Sequence, residues 1–412
     1  MALAVVVTAL LAAAPSASAS GASLVRDIYP GSPASGPSFL AGIDGIAYFA
    51  AADGTHGYEL WRSDGTAAGT ELVRDIFPGE TSSEPYLLTN VGGTLFFSAD
   101  DGTQGLELWR SDGTAASTKL VRDIKTGSDG SGPHSLTDVG GTLFFGANDG
   151  IHGIELWRSD GTAAGTRLID IRPGGDRFHR GSHPTSLTNV GGRLFFSATD
   201  GTHGNELWRS DGTAAGTKLV RDIRPGADGS NPGLYPGLLT KVGGTLFFNA
   251  DDGSHGSELW RSDGTAAGTE LVRDIDSGST GSDPSGLTNV GGTLFFSADD
   301  GIHGIELWRS DGTAAGTKLV RDIRPGASDS NPWDLTKIGP TVFFSANDGS
   351  HGIEPWRSDG TAPGTELVRD IRPGGDLLHR GSNPTSLTNV GGRLFFSAND
   401  GIHGSELWKA VP

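Results

Sequence analysis

Apolar residues in this chain fall into short runs separated by clusters of Gly, Asp, Asn and Pro, and the same four runs return in the same order along its length. The unit reads LTNV, TLFFSA, ELWR and LVRDI, followed by a variable stretch of the type PGxxxSxP. Runs this short, rich in Leu, Val, Phe, Trp and Thr, predict β-strands. No segment keeps a 3.6-residue period, so no helix is predicted beyond the first residues. The Trp of ELW (EPW once) recurs at Trp61, Trp109, Trp157, Trp208, Trp260, Trp308, Trp356 and Trp408, at spacings of 48, 48, 51, 52, 48, 48 and 52. A period of this length predicts a repeat architecture, and four antiparallel strands per unit match a propeller blade.

The turns carry their own chemistry. Gly-Gly pairs such as Gly92-Gly93 and Gly140-Gly141 separate the first two strands, as a two-residue hairpin accepting positive φ requires. Asp44-Gly45 keeps that chemistry, whereas Gly339-Pro340 does not, and a local distortion is expected there. DGxHG joins the second strand to the third, and SDGTAAGT joins the third to the fourth.

The two ends are complementary. One LVRDI, Leu24 to Ile28, precedes any blade, and the last ELW, Glu406 to Trp408, is followed by no fourth strand. An open solenoid needs polar caps at both ends. The reading is therefore an all-β, closed eight-bladed β-propeller whose N-terminal strand completes the last blade. The register repeats again after half the chain: Trp61, Trp109 and Trp157 return 199 residues later. The insert Arg172 to Ser186 also returns as Arg372 to Ser386. Two similar four-blade halves are expected, about 29–223 and 224–412 plus 22–28, within a single domain from residue 21.

Composition narrows the function classes. A formal charge of −18 argues against sequence-independent nucleic-acid binding and against anionic membrane surfaces. With no cysteine, disulfides, thiol nucleophiles and Cys-zinc sites are excluded. Residues 1–20 read as a secretory signal, an apolar run from Ala2 to Ala14 followed by Ala17-Ser18-Ala19, although no Lys or Arg precedes the run. The protein is expected to be secreted or at the cell surface, a monomer without a membrane span.

The strings ELWRSDGTAAGT and LVRDI resemble the bacterial ELWxxDGT repeat proteins, which are secreted or surface proteins. The resemblance covers nearly all of residues 24–408, with ELWRSDGT intact in six copies and Glu354-Pro355-Trp356 departing in one residue. It implies location and architecture and no particular chemistry. A weaker likeness, to the Asp-box turn of sialidase-like propellers, lies at Ser98 to Gly102 and Ser297 to Gly301.

The candidate chemistry is repetitive. The eight register Trp residues read as wedges between blades, with sugar-stacking platforms flanked by Glu107 and Arg110 as the alternative. A cross-strand Glu107–Arg122 pair is expected. One Asp and one His per DGxHG turn (His56, His152, His203, His255, His303, His351 and His403, with Gln104 in the remaining copy) are too few for zinc. They read as turn hydrogen bonding, with weak calcium or a histidine-lined binding face as alternatives and no cofactor otherwise. The Asp of SDGT reads as an Asx-turn residue.

Function is expected on the face where the variable connections and DGxHG turns gather. The candidates there are Arg177, Phe178, His179, Arg180 and His183, their counterparts His379 and Arg380, Tyr235, and the out-of-register Trp333. No GxSxG, HExxH or P-loop occurs. Titratable residues repeat six to eight times, as scaffold residues do. The expectation is therefore a non-enzymatic binding or adhesion scaffold recognising an extracellular protein or surface polymer. A multivalent carbohydrate-binding lectin is the alternative, followed by a glycan-cleaving hydrolase or lyase.

Overall fold

Strand pairing follows the repeat. The computed structural model describes residues 23–31, 34–174, 181–232, 239–373 and 381–410. The leader expected at residues 1–20 lies outside them. Eight four-stranded antiparallel sheets form an eight-bladed propeller, and the described residues contain no helix. Blade 1 takes Ser38–Ile43, Ile46–Ala51, Glu59–Ser63 and Glu71–Arg74, and blades 2 to 7 repeat that order. Blade 8 takes Thr385–Val390, Arg393–Asn399 and Ser405–Ala410, and its fourth strand is Ser23–Leu24. Ser23 pairs with Lys409 and Leu24 with Trp408, and the Val25 N–H donates to the Leu407 carbonyl at 3.2 Å.

The first strand of each blade lies against the first strand of the next, from blade 8 back to blade 1, so these strands line the centre. Alternation explains how the ring fills. Successive side chains of a strand face opposite sides, so Phe96 enters the wedge with blade 3 while Phe97 enters the wedge with blade 1. Eight such apolar wedges occur, one between each pair of neighbouring blades, and the one between blades 8 and 1 is completed by Val25 and Ile28. The register Trp residues all belong to these wedges, 4–8 % exposed, so they are not open sugar platforms.

Two turn expectations separate here. Gly92 and Gly93 adopt φ of 57° and 87°, and Asp44-Gly45 adopts 50° and 82°, as the primed hairpin turn demands. Gly339-Pro340 causes no distortion, contrary to expectation. Lys337 pairs with Val342 and Ile338 with Thr341, in the register of the other blades. Gly339 alone has positive φ (59°), which is the type II′ arrangement, and that turn admits Pro at its second position.

The expected Glu107–Arg122 pair is also corrected. A register shift places Arg122 opposite Leu108, not Glu107, so the two charged side chains leave opposite faces of the sheet. Arg122 Nη1 instead donates to the Thr166 carbonyl of the next blade at 2.7 Å, and its guanidinium lies 5.9 Å from the Trp157 ring. Equivalent stacking joins Arg221 to Trp260 and Arg273 to Trp308.

Candidate functional site

The buried Glu of ELW positions the functional face. All eight of these glutamates, from Glu59 to Glu406, are fully buried. Glu59 accepts from the N–H groups of Ile76 (2.8 Å), Phe77 (3.3 Å) and Ser83 (2.9 Å), and from the Ser83 hydroxyl (2.6 Å). Burial pushes its carboxyl above the usual carboxylate range, and the Ser83 hydroxyl and the backbone N–H groups oppose that rise. Ser83 is the Ser of PGxxxSxP. Each blade therefore grips the connection leading to the next one. The last blade does so across the chain ends, where Glu406 accepts from the Ser35 N–H and hydroxyl.

That grip delivers the chain to the centre in a fixed conformation. After the gripped Ser comes a residue of positive φ, such as Gly36, Glu84, Gly132, His183, Asn231, Asp283, Asn331 or Asn383. A Pro follows, and then, in the seven blades where they are described, the first two residues of the innermost strand. The second of those residues also has positive φ: Phe39 (54°), Leu87 (57°), Ser135 (56°), Ser186 (55°), Gly286 (65°), Asp334 (58°) and Ser386 (57°). In each case the ladder slips at that point, a β-bulge, as where Trp333 pairs with Ser345 but Thr336 already pairs with Phe343. Below the bulge the Thr of LTNV binds the neighbouring blade. Thr188 Oγ1 donates to the Leu239 carbonyl at 2.7 Å, Thr336 Oγ1 to Leu387 at 2.7 Å, and Thr388 Oγ1 to Leu40 at 3.4 Å.

At its rim the ring varies in the kind of side chain it presents. The first residue of the innermost strand is Ser38, Tyr86, His134, Thr185, Ser285, Trp333 or Thr385 in the seven blades where it is described. This asymmetry was overlooked in the sequence, where superposing the eight SxP segments reveals it directly. A wide cleft opens at this rim. About 640 Å³ in volume, it lies between the innermost strands of blades 6, 7 and 8, with Ser285, Leu287, Ser297, Trp333, Leu335 and Thr385 on its walls. Trp333 is 41 % exposed there. Asp334 beside it accepts from the Leu387 N–H at 2.7 Å, and burial raises its carboxyl pKa. A cleft of this size, mainly apolar with a few hydroxyls, suits a small ligand (pockets typically span roughly 300–1,000 Å³).

Of the expected site residues, Trp333 lines this cleft. His183 stands at the entry to the innermost strand of blade 4. Desolvation lowers its pKa, with His134 and Arg172 adding repulsion. Arg177, Phe178, His179, Arg180, Tyr235, His379 and Arg380 lie outside the described residues. The DGxHG turns share this face and behave as local structure. Asp53 accepts from the Thr55 and His56 N–H groups, each at 2.9 Å, and from the His56 ring. Its side-chain hydrogen bond raises the His56 pKa against desolvation. Desolvation would raise Asp53, but the His56 and Thr55 hydrogen bonds outweigh it and hold the carboxyl well below its usual range. Gln104 keeps the backbone bond to Asp101, at 3.1 Å. Among the described residues no group of three or more His, Cys, Asp or Glu could hold a metal ion. The Asp of SDGT forms the expected Asx turn, as Asp64 Oδ1 accepts from the Thr66 N–H (2.8 Å) and hydroxyl (2.7 Å). Among the described residues no helix is long and apolar enough to cross a membrane.

No protein-family model matches the chain, and no curated protein matches it. Solved structures do. A prolyl endopeptidase is similar over 90 % of this chain and 55 % of its own, at 10 % identity and a TM-score of 0.53. A puromycin-hydrolyzing peptidase of Mycobacterium tuberculosis is similar over 92 % and 60 %, at 12 % identity and a TM-score of 0.51. A puromycin hydrolase is similar over 91 % and 60 %, at 13 % identity and a TM-score of 0.50. The chain spans at most 60 % of the length of these proteins, and likeness at this identity shows the fold. It also corrects the expectation of a non-catalytic binding or adhesion scaffold, and of a protein that is not an enzyme. That expectation took repeated residues as the mark of a scaffold, yet proteins similar to this chain in fold are named as a hydrolase and as peptidases.

Proposed function

We propose that the protein acts in peptide hydrolysis, with the rim cleft at Trp333 as the place where a peptide substrate is held. The observation that carries this reading is the cleft itself, a recess of about 640 Å³ at the rim with an exposed indole on its wall. Its indole is a flat apolar platform on which a prolyl or aromatic side chain stacks. Leu287 and Leu335 supply apolar walls, and Ser285, Ser297 and Thr385 supply hydroxyls for a peptide's carbonyl and N–H groups. The wall carries no cation, which suits a neutral peptide segment more than a phosphate or a free carboxylate. Support comes from the propellers of the peptidases and the puromycin hydrolase to which the fold is similar. The sequence holds no GxSxG elbow, so the role assigned to these residues is to select and hold the substrate.

The test is turnover of puromycin and of fluorogenic prolyl and aromatic amino-acyl peptides by the purified protein, alongside peptide binding measured by calorimetry. Trp333→Ser installs the residue that blade 6 carries at the same position, Ser285, so the fold is retained. Losing one stacked ring, worth about 0.5–1.5 kcal/mol beyond area, is expected to weaken KM or Kd roughly three- to tenfold with kcat little changed. A wild-type protein that neither cleaves nor binds any of these peptides would contradict the reading.

A further inference from the structure

A second recess on the same rim differs in chemistry from the first. It has a volume of about 260 Å³ and lies between blades 1 and 2, lined by Ser38, Phe39, Ala50, Tyr58, Glu84, Pro85 and Tyr86. Two of its three aromatic rings are open to solvent, Phe39 at 48 % and Tyr58 at 38 %. The Phe39 and Tyr86 rings meet edge to face, with centroids 6.0 Å apart. The Tyr86 hydroxyl is tied to the Pro133 carbonyl at 3.1 Å, which fixes the ring. The Glu84 carboxylate has no ion-pair partner among the described residues. Its backbone N–H donates to the Tyr58 carbonyl at 3.2 Å, so carboxylate and ring share one scaffold.

Nothing in the repeat demands this set. At the position of Phe39 other blades carry Leu87, Ser135, Ser186, Gly286, Asp334 and Ser386, and at that of Tyr58 they carry Leu106, Ile154, Asn205, Ser257, Ile305, Ile353 and Ser405. At the position of Glu84 most blades use Gly, Asn or Asp, the residues at ease with positive φ. Glu84 and Phe39 hold that conformation at φ of 48° and 54° with long or bulky side chains.

We propose that this recess binds an alkylammonium cation. Three aromatic rings and one carboxylate, open to water on one side and set on a body of formal charge −18, form the arrangement that attracts such a group. A compact N-alkylated head fits the volume, the rings attract the charge through their quadrupoles, and Glu84 supplies a counter-charge at the edge. This site stands apart from the peptide reading and does not depend on it.

The experiment titrates choline chloride into the full protein, against sodium chloride at equal ionic strength, and follows binding by calorimetry. Its neutral isostere, 3,3-dimethylbutan-1-ol, is run in parallel. Saturable choline binding is expected, with the neutral isostere at least tenfold weaker. Phe39→Ser, Tyr58→Ser and Glu84→Asn each install a residue that other blades carry at that position, and an unchanged melting temperature confirms the fold. Each variant is expected to weaken choline binding at least threefold, and the triple variant to abolish it. Absence of choline binding, equal binding of the neutral isostere, or variants that bind as the wild type does would each overturn the proposal.

Discussion

Glu59→Ala is expected to lower stability by about 3–5 kcal/mol, a large share of the roughly 5–15 kcal/mol that holds a typical domain together. The reason lies in what the carboxylate leaves behind. Three backbone N–H groups, two of them buried, would lose their acceptor and the Ser83 hydroxyl would keep only the Tyr58 carbonyl at 3.4 Å, at about 1–3 kcal/mol for each group left without a partner. Ser83→Ala removes one of those bonds and is expected to cost only about 1–2 kcal/mol. Urea unfolding of the two variants and the parent measures both effects. Equal midpoints for Glu59→Ala and the parent would show that the connection between blades 1 and 2 is not held by this carboxylate. Because the connection carries Glu84 and Tyr86 to the rim, the same variant is expected to disturb the recess between those blades.

Deleting residues 23–28 is the other change with a large expected effect. Val25 and Ile28 are buried in the wedge with Phe49, Trp61, Phe395 and Leu407. Burial of two such side chains contributes roughly 3–6 kcal/mol from area alone. The Arg26 guanidinium also donates to the Thr70 carbonyl, tying this segment to blade 1. Without the segment, Ser405–Ala410 becomes an exposed sheet edge beside an unfilled apolar wedge, which invites pairing with other chains. The truncated protein is expected to melt at least 10 °C lower than the parent and to aggregate on heating. Calorimetry with light scattering reads both.

How much of this was legible in the sequence depended on whether local chemistry or face geometry decided the outcome. Blade number and closure were legible because the Trp register and the split repeat at the ends need only counting. Hairpin turns were legible where Gly-Gly or Asp-Gly demanded positive φ. Gly339-Pro340 misled because Pro is foreign to one primed turn and compatible with the other. The Glu of ELW was misread because Arg122 is its apparent partner on the adjoining strand, and only the register shift shows them on opposite faces. The bulge at the rim left no sign, since Leu87, Ser135 and Phe39 are not residues that announce positive φ. Trp333 was legible as the tryptophan out of register, and the structure gives it a cleft. The aromatic recess was not, because Phe39, Tyr58 and Tyr86 belong to two blades and meet only when these pack side by side. The step from repetition to absence of catalysis failed for another reason. Repetition describes how a propeller is built, and proteins named as peptidases are similar to it in fold.

The ring itself can be locked and the lock read directly. The chain has no cysteine, so Ser23→Cys with Lys409→Cys introduces a single pair of thiols at directly opposed strand positions. Opposed residues of antiparallel strands lie about 4.5–5.5 Å apart at Cα, within reach of a disulfide. Mild oxidation of the folded double variant is expected to give one intrachain bond, seen as a mobility shift on a non-reducing gel that reductant reverses, with a higher melting temperature. Folded protein whose two thiols remain free, or join only between molecules, would contradict the closed eight-bladed ring.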